Sequence, residues 1–426
     1  MARAELENTA LLATICGDPR DDAPRLVYAD FLEARGATHD AELIRKQIAM
    51  AAAGPLDAEV LRVQARDRDW VSGRRSERPQ PTLPAGLEWP PFALERGFVS
   101  RLVARDVAAL VAHGERITSE TPLTSLEIDT RDAPSLEGLA RAPWLRHIRR
   151  VRFFLGRNDA VRLRPFFESP HLHSLVELRF DFEGIDGSGV SALMSSPLVR
   201  RLERLYLDDN FFVWWGAQLK DTFRAEGDLP WRVLSLGKNR IPPELLDSLT
   251  KQVSLPRLDE LDLHGNPLGP EGLAKARWID PQRIVRLDLT NTQLALDGVR
   301  ALAAAPFERL RALSLCNNRL GPTALKALMA APWMRSLEVL DLGNNPIGDK
   351  GAKLLAASPA LERLVSLDLQ SSKIGEEGLR ALVDSPHLGR LQVLGFFEHN
   401  LRIADNNVIQ RARERFDVYV PPVEAT

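Results

Sequence analysis

LEVLDLGNN, at residues 337–345, is the clearest copy of a phrase that recurs along this chain. LERLYLDDN at 202–210, LDELDLHGN at 258–266 and LRALSLCNN at 310–318 share its pattern, L-x-x-L-x-L-x-x-N. Within 337–345, Leu340 and Leu342 alternate with Val339, Asp341 and Gly343. Because successive side chains of a β-strand point to opposite faces, this alternation predicts a strand whose leucines share one face.

The last position of the phrase recurs at a nearly constant spacing. It falls at Asn210, Asn239, Asn266, Thr292, Asn318, Asn345, Ser372 and His399, which lie 29, 27, 26, 26, 27, 27 and 27 residues apart. The same frame reaches back to Glu183, Gly156 and Arg131, so eleven copies cover roughly 123–401, the first two degenerate. A fixed period of roughly 20 to 50 residues is typical of a solenoid built from stacked repeats.

After its strand, each copy contains a turn and an amphipathic stretch such as DKGAKLLAASPAL at 349–361. Apolar residues at helical spacing predict a helix there, and the proline that follows in most copies is expected to end it. Because helices are wider than strands, stacking predicts an arc with strands on the concave wall and helices outside. The asparagines predict a buried ladder that satisfies backbone groups, with weaker rungs at Thr292, Ser372 and His399.

A repeat of this length with a full helix resembles the ribonuclease-inhibitor-like class of leucine-rich repeats, over about two thirds of the chain. The resemblance implies a horseshoe with a continuous parallel sheet and a habit of binding proteins on the concave face. We therefore expect an α/β leucine-rich-repeat solenoid with a small all-helical domain at its N-terminus.

Residues 5–53 are helical by pattern. GDPRDDAPRLVYADFLEARG at 17–36, AELIRKQIAMA at 41–51 and the later ERGFVSRL at 95–102 resemble the small repeat-companion domain found ahead of repeat arrays in bacteria with large genomes. The resemblance implies no activity. The acidic loop of Asp18, Asp21 and Asp22 is interpreted as helix capping and solvated charge, with contact to a basic partner as the alternative.

The expected domain organisation has five parts. They are the helical domain at 1–53, a proline- and arginine-rich linker at 54–91, an N-terminal solenoid cap at 92–122, the repeats at 123–401, and a C-terminal cap helix and edge strand at 402–426.

Composition argues against several classes of function. The 56 basic and 58 acidic residues nearly balance, which disfavours a nonspecific nucleic-acid or anionic-membrane binder. Cys16 and Cys316 match neither a disulfide framework nor a metal-binding spacing, which indicates a reducing compartment. Neither a signal peptide nor a membrane-spanning run is recognisable, so we expect a cytoplasmic protein.

Motifs for catalysis are absent from the sequence. No G-x-x-x-x-G-K-[ST], H-E-x-x-H or G-x-S-x-G occurs. GIDGSG at 184–189 falls at a strand-to-helix turn, His171 and His173 lie at a helix end without an implied third ligand, and Cys316 has no recognisable activating cation. We expect no enzyme activity, no cofactor and no metal site.

Repeat phase maps the predicted concave wall, because the positions six, four and two before the asparagine point away from the leucines. The candidate partner-binding residues are Arg150, Arg152, Phe154, Arg179, Arg204, Tyr206, Asp208, Asp262, His264, Asp288, Asp341 and Asp368. The four aspartates from Asp262 to Asp368 share one column. Two interpretations stay open: a carboxylate lane for a basic partner segment, or a solvated face that blocks nonspecific association.

The 29-residue repeat contains DDNFFVWWGAQLKDTF at 208–223. Its Trp214 and Trp215 are candidate apolar anchors for a partner, with burial between neighbouring helices as the alternative.

The favoured function is a non-enzymatic protein-interaction scaffold or inhibitor with a protein partner. The alternative is a regulator of a partner enzyme, for example GTPase-activating-like, that supplies Arg240 or Arg319 from a repeat loop. Nucleic-acid binding through Arg74, Arg75 and Arg78 with Arg150 and Arg152 is disfavoured, and a gel shift at low salt tests it.

Overall fold

The computed structural model describes residues 2–54, 56, 81–90, 94–131, 135–154, 160–180, 185–210, 223–276, 278–396 and 406–419. The chain divides into two compact units, one of residues 1–55 and 67–210 and one of residues 56–66 and 211–426. We call them the N-terminal and the C-terminal unit. None of the described helices combines the length and the apolar composition that a membrane span requires.

Helices and a cap begin the N-terminal unit. Its helices are α1 (Ala2–Gly17), α2 (Ala23–Glu33), α3 (Thr38–Ala53), α4 (Val107–Glu120), α5 (Glu137–Ala140), α6 (Arg164–Phe167) and α7 (Gly187–Met194), with 3-10 turns at Pro143–His147, Ala160–Leu163 and Pro197–Arg200. Helices α1 to α3 enclose a cluster that includes Ile15, Tyr28 and Ile44, and Phe98 of the cap joins it. The helical region therefore packs directly on the start of the solenoid.

The strands of this unit are β1 (Leu87–Glu88), β2 (Leu94–Glu95), β3 (Phe98–Val99), β4 (Arg101–Ala104), β5 (Ser125–Asp129), β6 (Arg150–Phe154), β7 (Glu177–Phe180) and β8 (Arg204–Tyr206). Strands β4 to β8 pair in parallel and in register, while β2 and β3 form an antiparallel hairpin. Strand β1 pairs antiparallel with β4, so the end of the predicted linker supplies an edge strand to the cap.

The C-terminal unit is a regular repeat array. Its strands are β9 (Val233–Ser235), β10 (Glu260–Asp262), β11 (Arg286–Asp288), β12 (Ala312–Ser314), β13 (Val339–Asp341), β14 (Ser366–Asp368), β15 (Val393–Gly395) and β16 (Asp417–Tyr419). Its helices are α8 (Pro243–Gln252), α9 (Gly269–Lys275), α10 (Ala295–Ala304), α11 (Pro322–Met329), α12 (Gly348–Ala356), α13 (Glu376–Asp384) and α14 (Asn406–Arg415). The eight strands described in this unit pair in parallel, and α14 and β16 lie in the region predicted as the C-terminal cap.

Strand alternation places the core as predicted. Leu340 and Leu342 are fully buried, whereas Val339 and Asp341 are half-exposed. The central leucine of each strand lies beside that of the next, as in Leu313, Leu340 and Leu367. One apolar stack therefore runs between the strands and the helices.

The prolines that follow the helices have a role that the prediction did not include. Helices α11 and α12 end at Met329 and Ala356, before Pro332 and Pro359 are reached. Each of these prolines instead begins a 3-10 turn. Proline suits this first helical position because its missing N–H would lack an intrahelical partner there and its φ is already helical.

Asparagine rungs form the predicted buried ladder. Asn266 Oδ1 accepts the Ile241 N–H at 2.9 Å, and its Nδ2 donates to the Leu236 carbonyl at 2.9 Å. Asn318 and Asn345 bond their preceding repeats in the same way. Each amide thus satisfies buried backbone groups that would otherwise lack partners.

Thr292 and Ser372 interrupt the asparagine ladder. In the repeat before each of them, the turn has a different hydrogen-bond pattern. The Leu268 N–H bonds the Asn266 carbonyl of its own repeat at 2.8 Å, so it does not need an acceptor from the rung that follows. Gly269, at φ 57°, then donates to the Thr292 carbonyl at 2.9 Å. Ile347 and Gly348 repeat this arrangement before Ser372. The prediction of simply weaker rungs overlooked this second turn type.

Candidate protein-binding faces

Arginine and aromatic side chains cover the solvent-facing side of β6 to β8, which we call the arginine–aromatic face. The Arg179 guanidinium lies 3.6 Å from the Tyr206 ring centroid, and that of Arg152 lies 4.7 Å from the Phe154 ring. Arg179 also bonds Glu177 at 2.7 Å, and Arg204 lies 3.7 Å from the same carboxylate. These contacts hold the side chains in place, which lowers the entropy lost when a partner binds.

Arg150 was predicted to bind a partner, but its side chain forms an ion pair within the chain. Its guanidinium forms an ion pair with Glu95 of the β2–β3 hairpin. Burial opposes ionisation of Glu95, yet the charge and hydrogen bond of Arg150 outweigh it and lower the pKa of Glu95. Glu95 in turn raises the pKa of Arg150 above its ordinary value. Arg150 therefore joins the cap to the second repeat strand.

The predicted aspartate column lies on the solvent-facing side of the C-terminal unit. Strand register places Asp262 beside Asp288, and Asp341 beside Asp368, with Ser314 between the two pairs. The Oδ1 of each aspartate accepts the backbone N–H two residues later, on His264, Thr290, Gly343 and Gln370 respectively. Each carboxylate thereby closes the turn at the end of its own strand.

Neighbouring hydroxyl and amide groups supply further donors to this column. Ser235 Oγ donates to Asp262 at 3.1 Å, Ser314 Oγ donates to Asp341 at 3.0 Å, and Gln370 Nε2 donates to Asp368 at 2.7 Å. His264 Nδ1 lies 2.8 Å from Asp262. The column is therefore a hydrogen-bonded network rather than a row of freely solvated charges.

Burial and mutual repulsion disfavour the ionised form of the aspartates in this column. Burial, and then the charge of Asp262, raise the pKa of Asp288 to about 6. Burial and the charge of Asp341 raise the pKa of Asp368 to about 6, and burial raises that of Asp341 itself. A cationic group placed on the column would relieve this repulsion, which favours a basic partner over an acidic one.

Several weaker candidates have simple structural explanations. Burial, and then Asp341, raise the pKa of the Cys316 thiol to about 11, so a thiolate is disfavoured. Asp186 caps α7 by accepting the Gly189 N–H at 2.9 Å, where a phosphate would have to lie. His171 and His173 belong to no group of three or more potential metal ligands in the described ranges.

Arg240 and Arg319 are exposed at the turn that follows each rung, in left-handed conformations. Gln293 and Lys373 occupy the same turn position with the same conformation. Repeat geometry alone therefore explains why the two arginines protrude. Trp214 and Trp215 lie outside the described residues.

Two features were missed from the sequence. The first is the role of the ERGF phrase at 95–98: Arg96 lies 3.0 Å from Asp22, and the Gly97 N–H donates to Gln47 Oε1 at 2.6 Å. The repeat frame does not include these residues, so periodicity gave no signal for these contacts. The acidic loop of the helical region thus has a partner within the chain.

The second is a surface cleft of about 490 Å³ beside Trp278 in the C-terminal unit. Its charged groups are already paired: Lys251 bonds Asp247 at 2.6 Å and Arg283 bonds Asp280 at 3.0 Å. No sequence motif marks it, since its lining comes from the helix-end loops of successive repeats.

The chain is similar to one family model and to solved structures of repeat proteins. A family model described as Leucine Rich repeat matches residues 334–356 and 364–383. Among solved structures, the crystal structure of the Rad7 and Elc1 complex in yeast matches with 17% identity and a TM-score of 0.51, over 71% of this chain and 77% of that one. An internalin (inlF) from Listeria monocytogenes matches with 16% identity and a TM-score of 0.38, over 75% and 86%. No curated protein matches the chain. The matched repeats, the asparagine ladder and the likeness in fold to the Rad7 structure show that the chain has an α/β leucine-rich-repeat solenoid fold.

Proposed function

We propose that the chain is a non-enzymatic scaffold or inhibitor that binds a protein partner on the solvent-facing side of its strands. The observation that carries this proposal is the arginine–aromatic face, where Arg152, Arg179 and Tyr206 are held in stacked pairs yet remain accessible. Arginine and tyrosine are enriched among the residues that dominate protein interfaces. The Rad7 structure, which contains Rad7 in a complex with Elc1, supports the same kind of role for a similar fold.

The aspartate column is the second part of this proposal. Its raised pKa values at Asp288 and Asp368 favour a basic partner segment there. Such a segment would make the carboxylates release protons on binding, since a nearby cation lowers their pKa. We keep Asp208, Asp262, His264 and Asp341 as members of the proposed partner-binding set. Trp214 and Trp215 remain proposed apolar anchors.

We further infer the ribonuclease-inhibitor-like subtype from the repeat length and the full helices of the C-terminal unit. Helices α1 to α3 are proposed to be a bacterial repeat-companion domain, with the five-part boundaries set out above. The two unpaired thiols, Cys16 and Cys316, support a cytoplasmic location.

The test is comparative capture from cell lysate by chemical cross-linking, with the full chain as bait. We expect at least one protein to be enriched by the wild type and lost with Arg152→Ala and Tyr206→Ala together. Arg164→Ala, on helix α6, is the matched control and should retain that protein. Equal recovery with both variants would overturn the proposed binding face.

A further inference from the structure

A second charged surface lies at the edge where the strands of the N-terminal unit begin. The Val176 N–H donates to the Arg149 carbonyl at 2.9 Å, and the Glu203 N–H donates to the Val176 carbonyl at 2.9 Å. Arg149, Val176 and Glu203 therefore stack along the edge at the usual strand separation of about 4.8 Å. His147 and Arg201 stand two residues before Arg149 and Glu203 on the same edge. We call Arg20, Arg146, His147, Arg149, His173 and Arg201 the basic edge.

Corresponding positions in the C-terminal unit show what Arg149 lacks. Arg232 and Arg311 occupy the same place in their repeats, seven residues before the rung. Arg232 pairs with Asp259, and Arg311 lies 4.0 Å from Glu338. Asp259 and Glu338 hold that same place in the following repeat, where the N-terminal unit has Val176. The following repeat thus supplies a counter-ion to Arg232 and Arg311, whereas the residue at this position after Arg149 is the uncharged Val176.

The surroundings of Arg149 are also positive. Burial, followed by Arg150, Arg20 and Arg96, lowers the pKa of Arg149, and Glu203 opposes them. Arg149, Arg146 and Arg201 form no ion pair with any carboxylate in the described ranges, whereas Arg20 bonds Asp18 at 3.1 Å. An anion that reached this edge would therefore meet a half-buried guanidinium that forms no ion pair within the described ranges.

His147 extends the basic edge towards the helical region. Burial and then Arg146 lower the pKa of His147, and His173 acts in the same direction. Glu115 and Asp18 act in the opposite direction. Neutral histidines and exposed arginines can both donate hydrogen bonds to a carboxylate.

We propose that the basic edge binds an acidic segment of a protein partner, whose carboxylate takes the counter-ion place that Val176 leaves empty beside Arg149. The inference rests on the proposed protein-binding function and adds a second surface to it. An acidic peptide fits better than a nucleic acid, because Asp18, Glu115 and Glu203 border the edge and would repel a continuous phosphate backbone. A peptide can place its few carboxylates between them.

The test is fluorescence anisotropy of a labelled octaglutamate peptide titrated with the full chain at low salt. Val176→Glu supplies the internal counter-ion that Asp259 and Glu338 supply elsewhere, so we expect it to weaken binding at least tenfold. Arg149→Gln with Arg201→Gln should weaken it similarly, while Arg149→Lys should keep most of the affinity. Arg311→Gln is the matched control and should change affinity less than twofold.

Three outcomes would overturn the inference. They are unchanged affinity in Val176→Glu, equal weakening in Arg311→Gln, and tighter binding of a twenty-nucleotide oligothymidine that is lost with the same variants. Val176→Glu keeps the arginines in place, so the test stands even if Arg149→Gln does not fold. Intact peptide binding together with equal lysate capture by the Arg152→Ala, Tyr206→Ala variant and the Arg164→Ala control would count against the arginine–aromatic face alone.

Discussion

At the scale of single residues, the position before each of the seven rungs from Asn210 to Ser372 has one conformation. Asp209, Lys238, Gly265, Asn291, Asn317, Asn344 and Ser371 all have φ between 53° and 67°. This left-handed region suits glycine and asparagine and strains most other residues. The frequent asparagine before the rung is therefore a consequence of backbone geometry.

Ser371→Gly should stabilise the protein. A left-handed serine costs roughly 1 to 2 kcal/mol, and glycine loses roughly 0.5 to 1 kcal/mol more backbone entropy on folding, so a gain of about 0.5 to 1 kcal/mol is expected. The urea midpoint of unfolding measures it. Gly265→Ala, at the same repeat position, should move that midpoint the other way. Destabilisation by Ser371→Gly would contradict the argument.

The aspartate column should make stability depend on pH. Asp368 has a pKa of about 6 in the folded chain, above the value of about 3.9 expected after unfolding. The folded state therefore binds this proton more tightly, and the stabilisation present below about pH 4 is lost as pH rises through about 6.

Asp368→Asn keeps an oxygen acceptor for the Gln370 N–H but cannot ionise. We expect the variant to exceed the wild type in stability at pH 7.5 and to lose that advantage at pH 4, in urea unfolding at both values. Asp297→Asn, at an exposed helical aspartate, serves as the control. An equal advantage at both pH values would show that the charge of Asp368 is not responsible.

At the scale of secondary-structure elements, each turn is matched to the rung that follows it. Where the turn has a left-handed residue, as at Arg319, the Leu320 N–H needs Asn345 as its acceptor. Where proline occupies that place, as at Pro267, the Leu268 N–H turns to its own repeat and Thr292 suffices. Proline enforces this second turn because its ring holds φ negative.

Arg319→Pro and Asn345→Ser should therefore compensate for each other. Arg319→Pro alone forbids the left-handed turn, and Asn345→Ser alone leaves buried backbone groups unpaired, at about 1 to 3 kcal/mol each. Together they recreate the sequence N-P-L-G before a hydroxyl rung, so the double variant should be more stable than the sum of the single effects by at least about 1 kcal/mol. A double-mutant cycle in urea measures this coupling, and additivity would refute it.

At the scale of the folded N-terminal unit, the ERGF phrase joins the helical region to the repeats. Gly97 has φ 78°, and a Cβ there would lie 2.2 Å from Ile44 Cγ1. Phe98 enters the cluster of Tyr28 and Ile44. The helices and the cap therefore share one core, and we expect them to unfold together.

Gly97→Ala should separate the helices from the cap. The added methyl group must displace Ile44 and also strain the backbone, so a loss of at least about 2 kcal/mol is expected. Gly36→Ala is the matched control: its φ is 82°, but a Cβ there meets nothing within 4 Å. Hydrogen exchange should show α3 losing protection only in Gly97→Ala. Equal loss in Gly36→Ala would mean that backbone strain alone is responsible.

The amino-acid sequence by itself determined the repeat, the strand and helix of each copy, the buried asparagine ladder and the candidate residues of the strand face. These features follow from periodicity, because the same pattern recurs in phase in successive repeats. The roles of Leu340 and Asn345 in one repeat therefore predict the roles of the equivalent residues in the others. An amphipathic helix and an edge strand were also predicted after the last repeat, in the region where α14 and β16 lie.

Only the tertiary structure decided which charged side chains are already paired within the chain and which could pair with a binding partner. Arg150 and Arg149 are neighbours in sequence, yet Glu95 neutralises the first and Val176 leaves the second without a counter-ion. The pairing of Asp22 with Arg96 was equally hidden. Contacts of this kind join residues that no period relates, and the free energy of a charge depends on those distant neighbours.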